Sequence, residues 1–141
     1  MDAAATVRDY YESLRRGAPL SPYFLDRETT VKFGVGERLT GYEAVETGLR
    51  EQTETTTGWE VESSNLLVEQ RDDHAWFTDD VFMGWTDTDA RVRYEFDTRW
   101  SGAMELVDGE WRFGTMHVSS AVPSTANRSS GRSPRDEEVR R

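Results

Sequence analysis

The chain has 141 residues, no cysteine and a formal net charge of -10 at pH 7. That length fits one domain with one real core, built without disulfides. The acidic balance excludes the basic surface that nucleic acid or an anionic membrane requires, and no apolar run approaches the roughly 18 residues of a membrane span.

The basic residues are lopsided. Of the 17, Lys32 is the only lysine and the rest are arginines. An acidic chain almost without lysine resembles the proteins of salt-loving archaea, whose surface carboxylates keep them soluble where salt screens charge. On that reading most carboxylates here are solvated surface. The opening MDAAATVRDYYESL has no basic region followed by an apolar block, so the expectation is a soluble cytoplasmic protein without a secretory signal.

In chain order, Asp2 to Arg16 reads as a helix. Val7, Tyr10, Tyr11 and Leu14 form its apolar stripe, Asp2 caps its start and Gly17 suits its stop. SPYFL predicts a short helix with Ser21 as N-cap and Pro22 at the first helical position. TTVKFGVG is a short strand ending in glycines. Thr40 and Glu43 have capping-box spacing, which predicts a second helix over 41–53, fraying through the threonines to Gly58. Val45 and Leu49 carry its buried stripe.

After Gly58 the pattern changes to strands. WEVESSNLLVEQ is one, HAWFTDDVFMGW the next, and RVRYEFDTRWSGAMELV a long third. Asp108-Gly109 is a strong two-residue hairpin signal, and GEWRFGTMHVSS is the fourth strand. Consecutive strands on short turns predict an antiparallel meander. From Ala121 onward the composition turns to Ser, Pro and Arg, too poor in apolar residues to fold alone. The expected organisation is a domain over 1–120 and a disordered tail over 121–141. The tail is locally basic and can lie on the acidic body. Asn127-Arg128-Ser129 in it fits a glycosylation sequon, which without a secretory signal is read as chance.

Helices first and a long-stranded sheet afterwards give an α+β plan. Gly102 amid bulky residues suggests a bend or bulge in the long strand. A curved antiparallel sheet wrapped on helices makes a cone, and its open mouth is a natural small-molecule pocket.

VRDYYESL, VKFGVGERLTGYEAVETGL, HAWFTDDV and RWSGAMELVDGEWRFGTMHVSS together resemble the SnoaL-like branch of the nuclear transport factor 2-like superfamily. Relatives carry an Arg-x-Thr element, then a turn glycine, a tryptophan and His-x-Ser. Here these are Arg99-Trp100-Ser101, with Ser in place of Thr, then Gly109, Trp111 and His117-Val118-Ser119. The resemblance implies the cone-like fold and, for many relatives, a homodimer through the outer sheet face. Polyketide cyclases, ketosteroid isomerases, dehydratases, epoxide hydrolases and the calcium/calmodulin-dependent kinase II association domain share that fold, so it names no reaction.

His117 is the first candidate site residue. Counting outward from the hairpin, with Val107 opposite Glu110, places it opposite Trp100 and on one face with Met104, Leu106, Trp111 and Phe113. An imidazole at the end of an apolar face can bind a ligand or move protons; the alternative is a core histidine with satisfied hydrogen bonds. The same register puts Arg99 on the other face with Met116 and Val118. A bulge near Gly102 would bring it to His117 as a carboxylate clamp; otherwise it is a surface or interface ion pair.

Asp79 and Asp80 point to opposite faces. The inward one would be desolvated, as an acid or base requires. In ketosteroid isomerase-like relatives a pocket aspartate transfers the proton; Asp80 is placed ahead of Asp79 for that role, and the alternative is a paired or outward carboxylate in an acid-rich chain. Asp97 is a weaker candidate of the same kind. Trp59, Trp76 and Trp100 are candidates to line a cavity for a flat or apolar ligand. The Asp87-Thr88-Asp89 stretch reads as a solvated loop and His74 as exposed. No zinc ligand set and no cofactor motif stands out. Three functions follow: a small-molecule-binding homodimer, an isomerase, cyclase or dehydratase using Asp80 or His117, or a structural dimerisation module.

Overall fold

In the computed structural model, which describes residues 1–120, two helices and a 3-10 turn pack against a curled seven-stranded sheet. Helix α1 spans Ala3–Arg16. The Asp2 side chain accepts from the Ala5 amide at 2.8 Å, and Gly17 ends the helix at φ 70°. The expected stripe is buried, and Ala3, Thr6 and Ser13 join it. The short helix is a single 3-10 turn, Ser21–Tyr23, with Pro22 in its first turn; Leu20 stands at the N-cap in place of the expected Ser21, with no side-chain cap.

Strand β1 (Val31–Gly34) is followed by an unexpected hairpin partner, β2 (Glu37–Thr40). Thr40 therefore belongs to a strand. Helix α2 (Tyr42–Thr55) has Gly41 at its N-cap, at φ 89°, with no side-chain cap. The capping box is absent because Thr40 is held in the ladder opposite Val31. The threonines close α2 instead: the Thr53, Thr55 and Thr56 hydroxyls donate to carbonyls four residues back. The chain then passes directly into a strand.

WEVESSNLLVEQ contributes to two strands, β3 (Thr56–Ser63) and β4 (Leu67–Gln70), both antiparallel to β5 (His74–Asp87). The break is organised by Asp79 and Asp80 of β5. Ser63 Oγ donates to Asp79 Oδ2 at 2.6 Å and the Asn65 amide to Asp79 Oδ1 at 3.0 Å. The Ser64 amide donates to the Asp80 carbonyl at 2.9 Å. These bonds satisfy a stretch of backbone that leaves the ladder.

β6 (Val92–Val107) and β7 (Glu110–Ser120) complete the sheet, in the order β2-β1-β7-β6-β5-β3, with β4 beside β5. The Asp108-Gly109 turn has φ 52° and 80°, the positive pair of a two-residue hairpin loop. The sheet is not a simple meander, because β1 runs parallel to β7. The register shifts between Ala103 and Met104, where Gly114 is the extra residue on β7. The bulge thus lies one residue from Gly102 and is carried by the opposite strand. It falls where β7 changes neighbours: the Leu25 amide donates to the Phe113 carbonyl at 2.9 Å, and Val31 of β1 pairs with Thr115.

The core lies between the concave face and α1. Tyr10 makes edge contacts with Phe24, Phe113 and Trp100, and Tyr11 packs edge-on against Trp100 at 5.2 Å. Met104, Met116, Phe77 and Val81 fill the sheet side. No helix among the described residues is long and apolar enough to cross a membrane. The tail expected over 121–141 and its sequon lie outside the described residues.

Candidate functional site

Side chains alternate along a strand, so one inserted residue exchanges the faces beyond it. Before the bulge, Trp111 and Phe113 point inward; after it, Met116 and Val118 do, and His117 is exposed on the convex face. His117 pairs with Ser101, and Trp100 with Val118. The expected inward histidine opposite Trp100 is thereby corrected. Its ring lies 5.2 Å from that of Phe33, its neighbour on β1.

Arg99 is also exposed on the convex face, between Asp80 and Ser119. The bulge does bring Arg99 and His117 to one face, but it is the outer one. Asp80 is exposed there too, where it accepts from Asn65 Nδ2 at 3.3 Å. The inward carboxylate is Asp79, which is 3 % exposed. Tyr11 and Ser63 donate to its Oδ2 and the Asn65 amide to its Oδ1. It does not line the cavity described below. The catalytic assignments of Asp80 and His117 therefore place both groups outside the cone.

Of the tryptophans, Trp76 is 47 % exposed on the convex side, where the Arg71 guanidinium lies over its ring and His74 stacks on it. It lines no cone pocket. Trp100 is buried, with its indole N–H donating to Thr98 Oγ1 at 3.0 Å. Trp59 is half-buried and stacks on Trp85 at 4.8 Å, its indole N–H donating to Thr56 Oγ1 at 2.8 Å. His74 is exposed beside Asp73. Asp97 is exposed, and Asp87 accepts from the Asp89 and Ala90 amides as an ordinary turn carboxylate.

The concave side holds a cavity of about 190 Å³ at the mouth of the cone. Its aromatic wall is Trp59, Trp85 and Trp100, with Met83 and Val118 of the sheet and Tyr10 and Leu14 of α1. The β1–β2 hairpin supplies Lys32, Gly34, Val35 and Glu37, and α2 supplies Gln52. Lys32 points inward because it alternates with Phe33 on a strand whose other face is convex. Its Nζ is 3.3 Å from Glu37 Oε1, with the lysine side chain 7 % and the glutamate side chain 42 % exposed. Gly34 makes room for the pair, because a Cβ there would lie 2.7 Å from Glu37 Oε1.

The Tyr10 hydroxyl is a third polar group. Tyr10 is 1 % exposed, and no hydrogen bond to its hydroxyl exists among the described residues. Burial first, then the charge of Glu37 and the neighbouring Tyr23, push its pKa well above the ordinary phenol value. It stays a neutral donor at any physiological pH. A buried hydroxyl without a partner is costly, and a ligand acceptor would satisfy it. No group of three or more metal-ligating side chains is gathered among the described residues.

The cavity thus contains Trp59 and Trp100 of the expected residues, but not His117, Asp80, Arg99 or Trp76. Lys32, Glu37, Tyr10 and Trp85 were not expected there. The available signal was Lys32: the one lysine of the chain, set between Val31 and Phe33.

The fold is shared widely. A nuclear transport factor 2-like superfamily protein from Salmonella enterica matches with a TM-score of 0.72 at 14 % identity, over 91 % of this chain and 93 % of that one. A ketosteroid isomerase-like protein from Erwinia carotovora matches at 0.70 and 15 % identity, over 85 % and 94 %. A nuclear transport factor 2-like protein of unknown function from Pseudomonas putida matches at 0.68 and 15 %, over 91 % and 94 %. At these identities the likeness establishes the fold alone. A search among curated proteins gives no match. The model of the SnoaL-like domain family matches residues 3–123, and the chain belongs to that family.

Proposed function

We propose that this protein binds a small molecule of flat, largely apolar shape in the mouth of the cone. The observation that carries the reading is the aromatic-walled cavity of about 190 Å³, which gathers an ion pair, the Tyr10 hydroxyl, Gln52 and Thr56 around a largely aromatic and aliphatic wall. That combination suits a ligand pocket, with area for affinity and a few polar groups for orientation. An engineered apolar cavity of about 150 Å³ holds a benzene ring, so a single substituted ring is the fitting size. The space is not packed shut by Trp100 and Met104, which argues against a purely structural role.

A second reading, an isomerase, cyclase or dehydratase, draws support from Tyr10. Its neutral hydroxyl shares the cavity with the Glu37 carboxylate and the Lys32 ammonium, the donor and charged groups that proton transfer uses. It needs neither His117 nor Asp80. The ketosteroid isomerase-like neighbour gives this reading its analogy.

The convex face carries the exposed or half-buried Trp76, Phe82, Ala103 and Phe33 among polar groups, and we assign to it the homodimer contact. The acidic, arginine-biased composition suits a cytoplasm of high salt, such as that of a halophilic archaeon.

The test is tryptophan fluorescence and thermal shift with single-ring aromatic compounds, on the wild type and on Trp59→Ala. Binding that quenches the wild type and weakens in the variant supports the cavity. A full panel that neither quenches nor stabilises the wild type overturns it. Turnover of any compound that binds separates the enzyme from the binding protein.

A further inference from the structure

The cavity's two charges are not equivalent. The Lys32 side chain is more than nine-tenths buried, while Glu37 is nearly half in water. Moving Glu37 outward therefore costs little desolvation, whereas leaving Lys32 without an anion would strand a buried charge. Glu37 sits at the start of β2, just after the turn at Gly36, whose φ is 75°. Lys32 is fixed in the ladder between β2 and β7. Glu37 is itself paired with Gly34, so the two differ in side-chain burial, and the exposed carboxylate is the one that can leave at low cost.

Among the described residues, Lys32 is the one cationic and Glu37 the one anionic side chain lining the cavity. The chain places arginine at every other basic position. A lysine differs there in presenting a compact charge on a straight apolar stem, which passes an aromatic wall without the five donors of a guanidinium to satisfy. The Tyr10 hydroxyl, without a hydrogen bond among the described residues, supplies a second donor at the same cavity. Lys32 holds its acceptor through an exchangeable carboxylate and the Tyr10 hydroxyl lacks one, so both groups suit an acceptor from a ligand.

We propose that the ligand is an aromatic or similarly flat carboxylic acid, whose carboxylate displaces Glu37 from Lys32 and accepts from the Tyr10 hydroxyl while its ring packs against the tryptophan wall. Lys32 is then the specificity-determining residue, and Glu37 is a resident stand-in for the ligand's carboxylate. This rests on the cavity being a ligand site and adds the charge of the ligand and the group it displaces.

The experiment uses phenylacetate and its neutral analogue phenylacetamide, titrated calorimetrically into the full chain. The variants are Lys32→Met and Glu37→Gln, with circular dichroism to confirm folding. The acid should bind the wild type about tenfold more tightly than the amide, the worth of one charge-assisted contact. Lys32→Met should erase that preference. Glu37→Gln, a change at a half-exposed position, should tighten acid binding severalfold and leave the amide unchanged, because it removes the competitor.

Equal binding of acid and amide to the wild type, or a Glu37→Gln variant that binds the acid more weakly, would sink the anion-exchange idea. In the first case the cavity reading survives, since the amide still binds. If neither compound binds, this inference falls, and the single-ring panel then decides whether the cavity reading falls with it. Should Lys32→Met fail to fold, the Glu37→Gln comparison decides the question alone.

Discussion

The Tyr11 hydroxyl donates to Asp79 Oδ2 across 2.8 Å inside the core, joining the inner helix to the strand whose carboxylate organises the β3–β4 break. Asp79 is thereby satisfied from both sides, by α1 below and by Ser63 and Asn65 above. Tyr11→Phe keeps the ring against Trp100 and removes one bond to a buried charge. The expected loss is about 1.5–3 kcal/mol of stability, read by urea denaturation with an unchanged m-value. Asp79→Ala strands the Asn65 amide as well and should cost more. A Tyr11→Phe variant as stable as the wild type would show that the remaining two donors suffice.

Alkaline pH should unfold the protein cooperatively. Burial, and for Tyr11 the hydrogen bond to Asp79, raise the Tyr10 and Tyr11 pKa values in the folded state. An unfolded tyrosine ionises near pH 10. Above that pH the unfolded chain binds fewer protons than the folded one, so stability falls as pH rises. Below it the contribution is fully present. The measurement is tyrosinate absorbance against circular dichroism: part of the tyrosinate signal should appear only with the loss of secondary structure. Complete ionisation before unfolding would contradict the burial of these rings.

Gly102→Ala should be among the most damaging single-methyl changes. A Cβ there would lie 2.5 Å from the Thr115 carbonyl oxygen and 2.7 Å from Phe77 Cε1. The first is backbone beside the bulge and cannot swing away. Overpacking of this kind costs about 1–3 kcal/mol or more, which is about 4–10 °C in melting temperature for a domain of this size. Calorimetry checks it.

His117→Ala should leave ligand response in the cone unaltered, because the imidazole lies on the other side of the sheet. Titration of any cavity ligand into this variant tests the assignment of faces. Lost binding in a folded His117→Ala protein would contradict it.

The proposed dimer places Ser101, between Thr78 and His117 on the convex face, near the middle of the contact. Ser101→Lys adds length and charge there and should convert a dimer to a monomer in light scattering. A dimeric mass unaffected by the substitution would move the interface elsewhere.

Local chemistry was legible in the sequence wherever it acts alone. The α1 stripe, its Asp2 and Gly17 ends, the Pro22 turn and the Asp108-Gly109 hairpin follow from spacing and backbone preference over a few residues. The resemblance carried the fold for the same reason, as it rested on the whole order of elements. The β2 strand was hidden because Thr40 and Glu43 offer a plausible helix cap, and only the pairing with β1 outbids it. The site was misplaced through one residue. Period-2 alternation places Thr115 and His117 with Phe113, and the insertion of Gly114 reverses every face beyond it.

The sequence by itself determined the α+β class, the core stripe of α1, the strand-rich C-terminal half and the acidic, arginine-biased surface, because these depend on composition and short-range periodicity. Only the tertiary structure decided which side of the sheet each polar group occupies. Whether β7 carries its extra residue at Gly114 is a matter of long-range pairing with β6, Leu25 and β1. That single register shift puts His117 and Arg99 outside the cone. The β1–β2 hairpin, held by its parallel contact with β7, brings the lone lysine inside, beside Tyr10 and three tryptophans distant in sequence.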